Sequence, residues 1–150
     1  MMLKYPPVLQ VLVSGLVAWG AARLLPALDI AIPFSREISV ILYIAGCAIL
    51  AVSVGLFALA KTTVNPVEPN KATTLVTTGL YRVSRNPMYL AMLLIVTGWS
   101  IMQSNLAAFF GVVLFITTMT FFQIRPEEKV MQDLFGEDYK SYRQRVRRWL

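Results

Sequence analysis

A chain of 150 residues that is 57% hydrophobic and only 15% charged carries too much apolar surface for an average soluble domain, and reads as a single membrane domain. The net charge of +6 sits mostly in segments flanking apolar runs, where anionic lipid headgroups are the nearer partner, so no nucleic acid is expected as a ligand. One cysteine excludes an internal disulfide, and the lack of histidine removes the commonest metal ligand and general base, so no metal site and no Ser-His chemistry are expected.

The first apolar run, about 8–28, is interrupted only by Arg23 and Pro26; the second, about 38–60, carries no charge at all. Both are long enough to cross a bilayer. The first continues too far, without a clean small-residue cleavage site, to be expected as a cleaved signal peptide. Ser14, Ala18 and Ala22, and likewise Cys47, Ala51 and Gly55, recur at four-residue spacing and are expected to form small-residue faces that pack helix on helix. The stretch "KTTVNPVEPNKATTLVTTGLYRVSRNP", 61–87, has three prolines and many Thr and Asn residues, which is loop composition. Connectors of that length are usually functional or disordered, and the mix of apolar and β-branched residues around Gly79 favours an ordered one.

Residues 86–124 carry no charge, too long for one crossing, and "QSN" at 103–105 divides them into a helical hairpin whose first arm, about 88–102, is short for a full span. Twelve of the fourteen basic residues fall before the first run, between the second and third, or after the fourth; only Arg23 and Arg36 lie on the other side. The positive-inside rule then expects both termini and the loop in the cytoplasm, as for a protein of a bacterial-type inner membrane. The expected fold is all-α: about four transmembrane helices in one domain, 1–60 giving two supporting helices and 61–150 the loop, the hairpin and a C-terminal interfacial helix.

In "RPEEKVMQDLFGEDYKSYRQRVRRWL", Pro126, Glu127 and Glu128 suit the first turn of a new helix, with the acids at its positive dipole end. Tyr139, Tyr142, Val146 and Trp149 follow at helical spacing, with Arg143, Arg147 and Arg148 beside them, as on a helix lying along the leaflet. Capping does not need two carboxylates at a bilayer edge. An acidic pair facing a loop that bears Arg82, Arg85 and Asn86 suits a pocket for a zwitterionic, partly cationic ligand.

Two segments, "TTLVTTGLYRVSRNPMYLAM" and "RPEEKVMQDLFGEDYKSYRQRVRRWL", together resemble the C-terminal half of the isoprenylcysteine carboxyl methyltransferase family and the related phospholipid methyltransferases. Those integral-membrane enzymes carry an R-H-P-x-Y-x-G step and, one helical hairpin later, E-E followed by F-G-x-x-Y-x-x-Y. The resemblance covers about 73–150. It implies S-adenosylmethionine as cofactor, bound at the cytoplasmic face by Thr73, Thr74, Leu75, Val76, Tyr81, Arg85, Asn86, Pro87, Met88, Tyr89 and Glu127. A carboxylate such as Glu127 can balance the cofactor's positive charge, and Arg85 or Asn86 can hold its carboxylate. The chain departs from the family at Asn86 for histidine, Leu80 for proline and Ala91 for glycine. Gln123 stands where the prenylcysteine enzymes place an arginine that holds the substrate carboxylate, with Arg125 nearby.

The implied reaction is methyl transfer to a lipophilic acceptor that enters from the bilayer, a carboxylate of an isoprenoid-like or lipid substrate, with Gln123 and Arg125 as substrate-binding residues. A carboxylate attacks without a base, whereas an ammonium must first lose a proton. Glu128, Tyr89 and Arg125 are the expected catalytic residues, and for an amine acceptor the task of the base would fall to Glu128, Glu127 or Tyr89, with Glu128 the discriminating residue. The alternatives are phospholipid or amine N-methylation, a non-catalytic membrane protein with a decayed cofactor pocket, and an NADPH-dependent reductase. The last would call for more loop cations than Lys61, Lys71, Arg82 and Arg85. Membrane lipids are the expected partners, and the oligomeric state is left open.

Overall fold

The computed structural model describes residues 6–60 and 74–150, and the expectation for Thr73 lies outside them. Helix α1 spans Pro7–Leu24, with Pro7 at a first-turn position where its missing N–H is no loss. A 3₁₀ turn at Pro26–Leu28 and a short loop lead into α2, Ser35–Leu59. After a second 3₁₀ turn at Gly79–Arg82, Pro87 opens α3, which ends at Met102. A 3₁₀ turn at Leu106–Ala108 then leads into α4, Phe109–Thr118. That helix continues without a break through a π-helical segment, Met119–Ile124, into α5, Arg125–Arg145. The start of a new helix expected at Pro126 is therefore replaced by a continuation. A proline inside a helix removes one hydrogen bond and crowds the carbonyl four residues back, and the looser π turn just before Pro126 absorbs both.

Among the described residues, three helical stretches are long and apolar enough to cross a membrane: Pro7–Leu24, Ser35–Leu59 and the first part of Leu106–Arg145. The uncharged part of the third ends at Ile124, since the charges begin with Arg125, Glu127 and Glu128. Helix α3 is a shorter apolar helix of 16 residues, about 24 Å at 1.5 Å per residue, that buries Pro87, Tyr89, Ala91, Val96, Gly98 and Ser100 against its neighbours. It packs closely on α2 through two glycines. A Cβ at Gly46 would stand 2.9 Å from the Ala91 carbonyl oxygen, and one at Gly98 only 2.8 Å from the Tyr43 ring. The Ser39 hydroxyl lies 2.7 Å from both the Ser35 and Gly98 carbonyls, tying the pair together. The buried residues of α2 are Ser39, Gly46 and Ser53, seven apart, whereas Cys47 and Ala51 are exposed. The expected four-residue small face on α2 is thus the wrong face, while Ser14 and Ala18 on α1 do pack, against Gly111 of α4.

At the end of the bundle opposite the charged segments, the fully buried Asn105 joins the hairpin turn to the α1–α2 loop. Its amide nitrogen donates to the Leu25 carbonyl at 2.9 Å and to Asp29 Oδ1 at 2.7 Å, and its side-chain oxygen accepts from the Ala107 N–H at 2.7 Å. The core near the other end is Tyr89, Val96, Phe115, Met119 and Ile124, with Trp149 of the C-terminal segment packed against it. Helix α5 is kinked at Gly136, whose φ of 50° and ψ of −122° suit only glycine. The kink turns Tyr139, Tyr142 and Val146 onto Leu75, Met131 and Phe135. The aromatic face expected to lie along the leaflet is therefore buried against the chain itself. Trp149 leaves that face, since the helix ends before Val146, which is extended.

Candidate active site

The turn before α3 and the first turns of α5 meet at one end of the bundle. Gly79, at φ 59°, allows the sharp entry into the 3₁₀ turn that buries Tyr81 against Phe57, ring centroids 5.3 Å apart. The Tyr142 hydroxyl donates to the Tyr81 carbonyl at 2.7 Å, so the far half of α5 clamps this turn. Between them lies a cavity of about 110 Å³. Thr74, Leu75, Val76, Tyr81, Arg85, Asn86, Glu127 and Glu128 all line it, together with Phe57, Met131, Tyr139 and Tyr142. The cofactor-contacting stretch implied by the resemblance is thus largely gathered around one space. Its volume is below the ~300 Å³ of small ligand pockets, so a cofactor-sized molecule requires the walls to move.

Glu127 and Glu128 are adjacent but differently held. Glu127 is half-buried, and its Oε1 accepts two bonds, from the Tyr89 hydroxyl and from Gln123 Nε2, both at 2.6 Å. Gln123 Nε2 also lies 3.2 Å from the Tyr89 oxygen, closing a triangle. No cation pairs with Glu127 among the described residues. Burial pushes its carboxyl up to about 7; the bonds from Tyr89 and Gln123 act the other way, and the neighbouring Glu128 charge adds to the rise. Glu127 lies just beyond Ile124, where the long uncharged stretch ends.

Glu128 has two guanidinium partners. Arg85 Nη2 donates to its Oε1 at 2.7 Å, while Arg148 forks onto both oxygens, Nε to Oε1 at 3.0 Å and Nη2 to Oε2 at 2.8 Å. The bond to Glu128 is also the main cause that raises Arg148 above its ordinary value. Arg85 keeps one buried nitrogen, Nε, without a partner. The C-terminal segment completes this side: the Arg85 N–H donates to the Arg147 carbonyl at 2.9 Å, and Asn86 Nδ2 to the Arg148 carbonyl at 2.9 Å. Burial also raises Tyr81, Tyr139 and Tyr142, Tyr139 to about 12, so all three stay neutral hydroxyls.

The remaining expected residues fall outside the cavity. Pro87 is buried as the first residue of α3 and Met88 is half-buried, but neither lines the space. Tyr89 and Gln123 sit behind it and reach it through Glu127. Arg125, expected as a catalytic and substrate-binding group, is exposed, with its guanidinium 4.1 Å from the centre of the exposed Phe121 ring. Two residues from Gln123 on a helix is a turn of about 200°, which points it to the other side. Sequence reasoning did not place Met131, Tyr139 and Tyr142 in the wall, nor Arg148 on Glu128. The F-G-x-x-Y-x-x-Y pattern was the one available signal for the two tyrosines.

Comparison with known proteins extends this picture. The chain is 44% identical over 63 residues to a protein of Haemophilus influenzae of uncharacterised function, a stretch that covers 42% of this chain and 100% of that relative. No solved structure gives a significant match. The profile of the phospholipid methyltransferases matches residues 35–138. That match takes in α2, the turn before α3, the whole hairpin and both site carboxylates, more than half of the chain, and the chain accordingly belongs to the phospholipid methyltransferase family.

Proposed function

We propose that this membrane methyltransferase uses S-adenosylmethionine to methylate an amine on a lipophilic acceptor, at a site facing the cytoplasm. One observation carries the choice of acceptor: among the described residues the lining carboxylate without a cationic partner is Glu127, while Arg85 and Arg148 both pair with Glu128. Gln123, at the position where a substrate carboxylate would need a cation, gives its amide to Glu127 instead. Arg125 faces away. A site so arranged favours a cation over an anion.

The donor set fits the cofactor. Glu127 offers uncompensated negative charge, Arg85 Nε an unused buried donor, and Phe57, Leu75, Val76 and Met131 apolar walls for a base. S-adenosylmethionine, when bound, supplies an electrophilic methyl group on a sulfonium. The residues supply alignment and exclusion of water, and Glu127 is the group able to accept the proton an ammonium must lose before its lone pair can attack. Its carboxyl, held near 7, suits that task at neutral pH. Glu128, pinned by Arg85 and Arg148, holds the α5 and C-terminal walls of the site together.

A second reading, the lipid or isoprenoid carboxylate expected from the sequence, draws support from the same Arg85 Nε, which could hold an acceptor carboxylate instead. The cytoplasmic placement is supported by Arg82, Arg85, Arg125 and the basic C-terminal residues, which gather at the site end. The test is transfer of a labelled methyl group from S-adenosylmethionine into a bacterial lipid extract by the purified protein. Label that resists alkali supports N-methylation. Label released as methanol by alkali indicates a methyl ester and favours the second reading, and no incorporation counts against both.

A further inference from the structure

The candidate catalytic cavity holds about 110 Å³, so a cofactor-sized ligand enters only if a wall moves, and its walls differ in how firmly they are held. Phe57 belongs to α2, whose contact with α3 is closed at Gly46 and Gly98. Glu127, Glu128 and Met131 stand on the first half of α5, which grows without a break from the π segment and the buried Ile124. Tyr139 and Tyr142 stand beyond the Gly136 kink. They pack with Leu75, Met131 and Phe135 in a cluster that shares no residue with the core of the bundle.

Gly136 has the properties of a hinge. Its φ of 50° and ψ of −122° turn the far half of α5 toward the cavity, and a Cβ there would meet nothing within 4 Å, so rotation about it is not obstructed. Glycine passes between that conformation and the helical one at little steric cost, and lid motions concentrate their dihedral changes at a few such positions. With helical dihedrals at Gly136 the far half would continue along the axis of the first half, taking Tyr139 and Tyr142 out of the wall.

Besides that cluster, the kinked form is held by the bond from Tyr142 to the Tyr81 carbonyl and by the end of the chain, where Asn86 holds the Arg148 carbonyl, Arg148 forks onto Glu128 and Trp149 packs on the core. The two ion pairs of Glu128 are unequal. Arg85 is shut in, its side chain 8% exposed, whereas that of Arg148 is 32% exposed and within reach of water. If Arg148 leaves, Arg85 still compensates the Glu128 carboxylate, so no buried charge is stranded and the departing guanidinium is hydrated. We propose that residues 137–150 are a lid on the catalytic cavity, hinged at Gly136 and latched by Arg148 on Glu128, which swings out to admit and release the cofactor. That task, though neither the hinge nor the latch, rests on the reading of this cavity as the cofactor site.

The experiment measures distances between nitroxide labels in the detergent-purified full chain, with Cys47→Ala removing the native thiol. One label pair, Arg82→Cys with Arg143→Cys, joins exposed residues next to the two that the Tyr142 bond ties together. The control pair, Arg82→Cys with Arg125→Cys, ends on α5 before the hinge. Losing the charge-assisted fork raises the ratio of open to closed lid by roughly tenfold. A longer separation is therefore expected for the first pair alone in Arg148→Ala, and added S-adenosylmethionine is expected to draw it back to the shorter one. Should Arg148→Ala fail to fold, Gly136→Ala replaces it, since a residue with a Cβ favours the straight form. A wild-type separation retained in these variants overturns the lid, and lengthening of the control pair as well overturns the hinge, because α5 then moves whole. Two separations that S-adenosylmethionine does not shift support hinge and latch and count against the cofactor reading. Saturable cofactor binding to a chain with one fixed separation in every variant leaves that reading standing and overturns the lid.

Discussion

The Tyr89 hydroxyl donates to Glu127 Oε1 at 2.6 Å although the two residues stand 38 apart and on different helices. Gln123 adds a second bond to the same oxygen, so the carboxylate is oriented from two sides, with no cationic partner among the described residues. If that charge faces a cationic cofactor, Glu127→Gln weakens S-adenosylmethionine binding by about 1.5 to 3 kcal/mol, the range of a charge-assisted hydrogen bond. Calorimetric titration in detergent measures this. Tyr89→Phe leaves the charge in place and is expected to cost less, about 1 kcal/mol.

The same carboxyl makes stability depend on pH. Its ordinary value of 4.5 is raised to about 7 in the folded chain, chiefly by burial, so the folded state holds a proton more tightly than the unfolded state. The stabilising contribution is fully present below about 4.5 and is lost as pH rises through about 7. A shift of that size corresponds to something on the order of 3 kcal/mol. Wild type is therefore expected to lose Tm across that window, and Glu127→Gln to lose less. A bound cation favours the ionised carboxylate, so cofactor affinity should rise over the same pH range as apo stability falls. Two identical melting profiles would remove Glu127 from this role.

Glu128 predicts a different phenotype. It is buried and paired with a buried arginine and a partly exposed one, and deleting it leaves Arg85 as an uncompensated buried charge. Glu128→Ala is expected to destabilise by about 3 to 5 kcal/mol. Arg148→Ala leaves the Arg85 pair intact and should cost clearly less. If Glu128→Ala melts like wild type but loses turnover, Glu128 belongs to the chemistry and the structural assignment falls.

The unequal fate of the two carboxylates shows what was legible in the sequence. Adjacent acids after an uncharged run, opposite a loop with Arg85 and Asn86, pointed to a polar site at the membrane edge, and the helices followed from length and hydrophobicity. Which acid was free could not be read. That depends on Arg148 returning across 20 residues to Glu128, and on the Arg85–Arg147 backbone bond that brings it there. Pro126 hid the continuity of α4 and α5, because a local rule for proline cannot see the π turn that accommodates it. The aromatic spacing of Tyr139 and Tyr142 was real, but the direction they face is set by one dihedral pair at Gly136. Packing faces were missed for a similar reason: Ser39, Gly46 and Ser53 repeat every seven residues, behind a more obvious small-residue pattern at four.

Two glycines give a closing contrast between strain and collision. A Cβ on Gly136 meets nothing within 4 Å, yet its φ of 50° is unfavourable for any L-residue with a side chain. Gly136→Ala and Gly136→Ser are therefore expected to cost alike, about 1 to 2 kcal/mol, by straightening the kink and loosening the bond from Tyr142 to the Tyr81 carbonyl. At Gly111 φ is ordinary but the space is filled by the Ser14 carbonyl and Ala18. Gly111→Ala should separate α1 from α4 at a cost of about 1 to 3 kcal/mol, and Gly111→Ser should cost more, since overpacking grows with size. Tm values for the four variants decide the matter. A size dependence at Gly136 would mean that contacts rather than φ set the cost there, and none at Gly111 would mean that the approach of α1 to α4 does not.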